Sequence, residues 1–119
     1  MPTARKGVRH PPVRQLIEHI TAHLAHDLTA AALADRAGVT PRHLTRLFQE
    51  HLGQPAARFV RQARTEAAAQ LPASTALPLA GVATRCGFGS TETLRQAFTN
   101  RYGISPSRYR ATRTRYSAK

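Results

Sequence analysis

Acidic residues and cysteine are what this chain has least of. Six Asp and Glu stand against 18 Lys and Arg, a net charge of +12 and a pI near 11.7, above the ~9 that marks a polyanion partner. A single cysteine, Cys86, can neither close an intramolecular disulfide nor complete a zinc knuckle. The chain therefore needs no oxidising compartment, and the cytoplasm is the expected one. No apolar run approaches the ~18 to 20 residues of a membrane span. Met1 to His10 holds Arg5, Lys6 and Arg9 with no hydrophobic stretch behind them, which fits neither a signal peptide nor an anchor.

What is present is globular. The 119 residues make one domain or at most two small ones, with 41% apolar and 20% charged residues, which excludes a multidomain enzyme and a disorder-type composition. Sixteen of the 18 cations are Arg, the type that bonds phosphate and guanine edges with a planar fork.

Periodicity is helical throughout. Val13, Leu16, Ile17, Ile20 and Leu24 form the stripe of an amphipathic helix that begins after Pro11 and Pro12. Thr29 reads as an N-cap, Leu28 as its staple onto Leu33, and Gly38 as a left-handed stop, giving a short helix over 30–37. Thr40 caps again, Pro41 takes the first helical position, Val39 staples to Leu44, and Gly53 ends a helix over 41–52. Two helices joined by Gly38, Val39 and Thr40 make a helix-turn-helix pattern, whose second helix suits the DNA major groove.

The pattern occurs twice. Leu33, Ala34, Arg36, Ala37 and Gly38 return 49 residues later as Val82, Ala83, Arg85, Cys86 and Gly87. After one inserted residue at Gly89 the offset becomes 50, and Leu44, Phe48, Gly53, Arg58 and Phe59 match Leu94, Phe98, Gly103, Arg108 and Tyr109. Between the copies, Pro55 to Leu71 reads as one linker helix of about 25 Å at ~1.5 Å per residue. With the width of the units, that length suits reading helices near the ~34 Å repeat of successive major grooves, any shortfall being met by bent DNA. A loop follows over 72–78, then a short helix from Leu79 to Arg85, a helix capped by Ser90 to about 102, and a last short one opened by Pro106. The expected fold is all-α, with about seven helices in two helix-turn-helix subdomains, 13–54 and 72–110, joined by a linker helix, 55–71. A basic arm, 1–12, and a basic tail, 111–119, flank them.

Advancing 100 degrees per residue from Leu44 puts Leu47, Phe48 and His51 on the core side and Arg42, Arg46 and Gln49 opposite, flanked by His43 and Thr45. Arg can pair with guanine O6 and N7, and Gln with adenine N6 and N7. The same construction from Leu94 buries Ala97, Phe98 and the Arg101 stem and exposes Glu92, Gln96 and Thr99, flanked by Thr93 and Arg95. This second face is less basic. Glu92 either accepts from a cytosine amino group or favours the positive end of its helix.

On these residues the chain resembles the DNA-binding domain of the AraC/XylS family of bacterial transcription regulators. The resemblance covers Val13 to Arg110 and rests on ADRAGVTPRHLTRLFQEHLG, Ala34 to Gly53, and above all CGFGSTETLRQAFTNRYGISPSRYR, Cys86 to Arg110. It implies two helices in adjacent major grooves of double-stranded promoter DNA and contact with RNA polymerase. By resemblance Arg42, Thr45, Arg46, Thr91, Glu92, Arg95 and Gln96 face bases, while Thr40, Ser90, Arg108 and Arg110 lie near phosphates. His43, Gln49 and Thr99 are expected at the backbone too, although many members carry Lys where Gln49 and Thr99 stand and aromatics where Thr93 and Leu94 stand. ETLRQAF resembles a subset in which an amidase-like sensor domain comes first, so the chain is either a stand-alone regulator or the DNA-binding part of a larger one.

Other chemistries find little support. Cys86 aligns with Ala37 and reads as a packed thiol. His19, His23 and His26 share a helix face but lack an obvious carboxylate or Cys to complete a zinc site. Gly87 and Gly89 are too few for a phosphate-cradling loop. No cofactor and no enzymatic activity are expected. Arg58, Arg61 and Arg64 either track phosphates or form a solvated face, and the basic ends are expected to be disordered. The alternative function is nonspecific nucleic-acid binding, which would show steep salt dependence without sequence preference.

Overall fold

The computed structural model describes residues 10–71 and 77–117, with side chains through Thr112. The arm over 1–9, most of the loop over 72–76 and the last two residues of the tail lie outside the described residues. Seven helices follow one another: α1 (Pro11–Ala22), α2 (Ala30–Ala37), α3 (Pro41–Leu52), α4 (Ala56–Gln70), α5 (Leu79–Arg85), α6 (Thr91–Tyr102) and α7 (Pro106–Ser117). The chain divides into two compact units between Val60 and Arg61, inside α4, so the helix expected as a plain linker contributes to both cores.

In the first unit α1 packs on α2 and α3, and α2 packs on α3. Two prolines open α1 where no amide hydrogen is needed. Val13, Leu16, Ile17 and Ile20 go inward with Leu28, Leu33, Ala34, Leu44, Leu47 and Phe48. The α1 stripe stops one turn sooner than its periodicity suggests, because His23 caps the helix and Leu24 falls beyond it. From α4, Phe59 is buried and meets Phe48 edge to face, with ring centroids 6.0 Å apart.

The second unit repeats the construction. Val82, Ala83, Cys86, Phe88, Leu94, Ala97, Phe98 and Ala69 form its core, with Leu71, Leu77, Tyr102 and Tyr109 packed around it. Phe98 and Tyr109 stand at 5.2 Å, also edge to face, and are the repeat partners of Phe48 and Phe59.

The two turns are copies at the level of single hydrogen bonds. After α2, Val39 N–H donates to Ala34 O at 3.0 Å and Gly38 N–H to Asp35 O at 3.2 Å. After α5, Phe88 N–H donates to Ala83 O at 2.8 Å and Gly87 N–H to Thr84 O at 3.2 Å. This six-to-one and five-to-two pairing needs a left-handed residue, supplied by Gly38 at φ 72° and Gly87 at φ 89°. The inserted Gly89 follows this closed motif, so the extra residue lengthens the approach to α6 without disturbing how α5 ends.

Three expectations are revised. His51, placed on the core side by its helical angle, is exposed and meets the His10 ring in a tilted contact at 4.5 Å; a group at the stripe's edge is buried only if another element covers it. The Arg101 side chain is 46% exposed and reaches Glu66 at 3.4 Å. The last helix is twelve residues long and continues past Arg110 to Ser117, into the segment expected as disordered tail.

Candidate nucleic-acid interface

Each unit presents the second helix of its helix-turn-helix, and capping fixes how that helix starts. On α3 the Thr40 hydroxyl accepts from His43 N–H at 3.1 Å. On α6 the Ser90 hydroxyl accepts from Thr93 N–H at 3.1 Å and also meets the Thr93 hydroxyl at 3.0 Å. Both cap side chains are exposed, and each satisfies an amide that the first helical turn leaves without a partner. The Thr40 hydroxyl hydrogen is still available to a phosphate oxygen.

Leu44, Leu47 and Phe48 bury the inner stripe of α3. Arg42, His43, Thr45, Arg46 and Gln49 are all exposed, as expected. Neither Arg42 nor Arg46 makes an ion pair or hydrogen bond within the described residues, so their guanidinium donors are free for a ligand. Thr45 differs: its hydroxyl donates to Pro41 O at 3.0 Å. Its oxygen can then only accept from a base amino group, and its methyl group can meet a thymine methyl.

On α6, Leu94, Ala97 and Phe98 are the buried stripe, and Glu92, Arg95, Gln96 and Thr99 are exposed. Thr91 is half-buried, because its helical angle places it beside the core stripe. The exposed residues are tied together: Arg95 Nη1 donates to Glu92 Oε1 at 2.7 Å, and Gln96 Nε2 to Glu92 Oε2 at 3.4 Å. The i, i+3 and i, i+4 spacing that produces this was legible in the sequence, yet reading each residue separately against the bases overlooked it. Glu92 also sits in the first turn of its helix, where a negative charge is favoured.

The residues placed near phosphates fare differently from one another. Arg108 is exposed at the start of α7, its amide capped by Ser105 Oγ at 3.2 Å. Arg110 is half-buried and donates from Nη1 to Leu77 O at 2.9 Å, which ties α7 to the segment before α5. On α4, Arg58 and Arg61 are exposed and Arg64 is half-buried.

Away from these faces, neither the thiol nor the metal-ligand types form a reactive site among the described residues. Cys86 is buried, and burial pushes its thiol pKa up against a weaker opposing pull from Arg85, which suits a packed thiol. Among the described residues no three His, Cys, Asp or Glu side chains are placed to hold a metal ion. No described helix is long and apolar enough to cross a membrane.

Residues 33–112 match a family profile described as a helix-turn-helix domain. The chain is 46% identical over 78 residues to the HTH-type transcriptional regulator Rv1931c of Mycobacterium tuberculosis, covering 66% of this chain and 30% of that protein. Across four such curated regulators the chain spans 30% to 37% of their length. Among solved structures it is similar to a transcriptional regulator with an AraC-type DNA-binding domain from Chromobacterium violaceum, with a TM-score of 0.79, 27% identity and coverage of 87% of this chain and 92% of that one. It is also similar to the DNA-binding domain of AdpA, a global transcriptional factor solved in complex with a target DNA, with a TM-score of 0.80, 30% identity and coverage of 85% and 91%.

Proposed function

Since the chain belongs to the AraC/XylS family of helix-turn-helix DNA-binding domains, we propose that it regulates transcription by laying α3 and α6 in adjacent major grooves of a promoter. The observation that carries this reading is the exposed, polar outer face of α3, with the cations Arg42 and Arg46, partnerless among the described residues, held over a fully buried Leu44 and Phe48. Arg42, Arg46 and Thr45 read one half-site. Arg95 and Gln96, with Glu92 and Thr91 beside them, read the other. Thr40, Ser90, His43, Gln49, Thr99 and Arg108 sit towards phosphates, which set affinity and orientation without selecting sequence. Arg110, whose guanidinium also donates to Leu77 O, is proposed to lie near the phosphates with them. Two unlike reading faces in one chain suit an asymmetric site with half-sites about 10 base pairs apart, without the dimer symmetry that single-unit proteins need. RNA polymerase is the protein partner proposed, on family membership. The setting proposed is the cytoplasm, where the promoter is.

Selection of bound duplexes from a randomised pool at near-physiological salt tests the reading. Two unlike motifs one helical turn apart are expected. Binding without enrichment would replace it with charge-driven nonspecific association. Arg42→Ala and Arg46→Ala are expected to relax preference in one half-site, and Gln96→Ala in the other, each by roughly 5- to 100-fold, the worth of a bidentate base contact. Unchanged preference in all three variants would remove the residue assignment.

A further inference from the structure

The two reading helices differ in a way that charge counting does not capture. At equivalent positions of the repeat, α3 has Arg42, Thr45 and Arg46 where α6 has Glu92, Arg95 and Gln96. Both arginines of α3 are without partners among the described residues. On α6 the Glu92 carboxylate accepts from both neighbours, one oxygen to each. We propose that Glu92 is a positioning residue: it holds Arg95 and Gln96 as a fixed fork, so that α6 supplies selectivity while α3 supplies more of the charge-driven affinity. The inference rests on the DNA-binding reading above and assigns Glu92 a different part from direct base contact.

The chemistry supports holding over reading. A carboxylate that already accepts through both oxygens has fewer lone pairs left for a cytosine amino group. Arg95 commits one N–H and keeps four of its five donors in a rigid plane, enough for both guanine acceptors. An arginine held before binding loses less side-chain freedom on contact, and it discriminates geometrically because swinging to a phosphate would break its bond to Glu92. Glu92 also cancels the Arg95 charge, so the fork gains little from the phosphate backbone of a wrong sequence. In α3 no carboxylate restrains the cations in this manner, and they gain from any duplex. The pair is exposed, with Arg95 48% and Glu92 62% accessible, so it adds little to folding stability and its replacement leaves the core alone.

The test compares the full chain with Glu92→Ala, Glu92→Gln, Arg95→Ala and the Glu92→Ala, Arg95→Ala double variant. Each is measured for base preference by duplex selection and for affinity to a random-sequence duplex across salt. Glu92→Ala is expected to bind random duplex severalfold tighter and to steepen the slope of log K against log salt by about 0.9, the contribution of one released cation. It should also flatten base preference at the Arg95 position, and Glu92→Gln should fall between it and the native chain. In the Arg95→Ala background, Glu92→Ala should change base preference only at the Gln96 position, where the second bond of the fork is lost. A Glu92→Ala effect on preference that persists at any other position without Arg95 would mean the carboxylate reads a base itself and would overturn the proposal. Looser binding to random duplex would do the same. Failure of the native chain to enrich any motif would instead dispose of the parent reading, so the two failures are distinguishable.

Discussion

At the residue scale, His19 shows that the molecule holds proton-sensitive chemistry away from its reading faces. Its Nδ1 is buried without a hydrogen-bond partner, and its ring stacks on His23 at 4.5 Å. Burial, then the charges of Arg36, His23 and His26, hold its pKa below the usual 6.5. A depressed histidine makes the folded state bind fewer protons than the unfolded chain. Its contribution to stability is complete above pH 6.5 and is lost as pH falls through the folded value. Thermal unfolding followed from pH 8 to pH 5 should show the first unit weakening on the acid side. His19→Gln should reduce that slope, and an identical slope in both proteins would refute the assignment. The difference between the two proteins is the informative quantity.

At the element scale, the helix ends carry energy that side-chain contacts do not reveal. A Cβ on Gly38 would meet nothing within 4 Å, yet φ is 72°, so Gly38→Ala pays only for left-handed backbone, about 1 to 2 kcal/mol. A Cβ on Gly89 also meets nothing within 4 Å, and its φ lies outside the left-handed range. Gly89→Ala should therefore stay within about 0.5 kcal/mol of the native chain. Denaturant midpoints of the two variants check this, and equal losses would mean that φ does not govern the turns. The caps rank between them: Thr40→Ala and Ser90→Ala should each cost about 1 kcal/mol, read from the same midpoints and accompanied by weaker DNA binding, because each cap also sets the start of a reading helix. Element bounds were legible because these signals act over three or four residues. The expected spans 30–37 and 41–52 are those of α2 and α3. The miss at the end of α1 has the same origin: Leu24 kept the helical period while the backbone had already turned at His23.

At the scale of the whole molecule, each unit is built around one deeply buried aromatic. Phe48 is 0% and Phe98 1% exposed, and each meets the ring that follows it eleven residues later. Truncation leaves a cavity that close-packed neighbours fill only in part, at about 3 to 5 kcal/mol, comparable with the whole stability of a small unit. Phe98→Ala should therefore abolish amide-exchange protection in α5 to α7 while α1 to α3 keep theirs, and Phe48→Ala should do the reverse. Loss of protection everywhere in either variant would show that the two units unfold as one.

The sequence by itself determined the helices, the repeat, the buried stripes and the outward-facing residues Arg42, Arg46, Glu92, Arg95 and Gln96. Caps, left-handed glycines and a 3.6-residue period are local devices, and even the bonds from Glu92 to Arg95 and Gln96 span only one turn. Tertiary structure decided what distant surfaces do to side chains at the margin of those patterns. It drew Arg110 onto Leu77 O, 33 residues away, and Arg101 onto Glu66, 35 residues away, and it set His51 against His10 outside the core. A helical angle states which way a side chain leaves its own helix. Whether it then meets water, a carbonyl or another ring depends on which element packing brings opposite, and no local pattern records that.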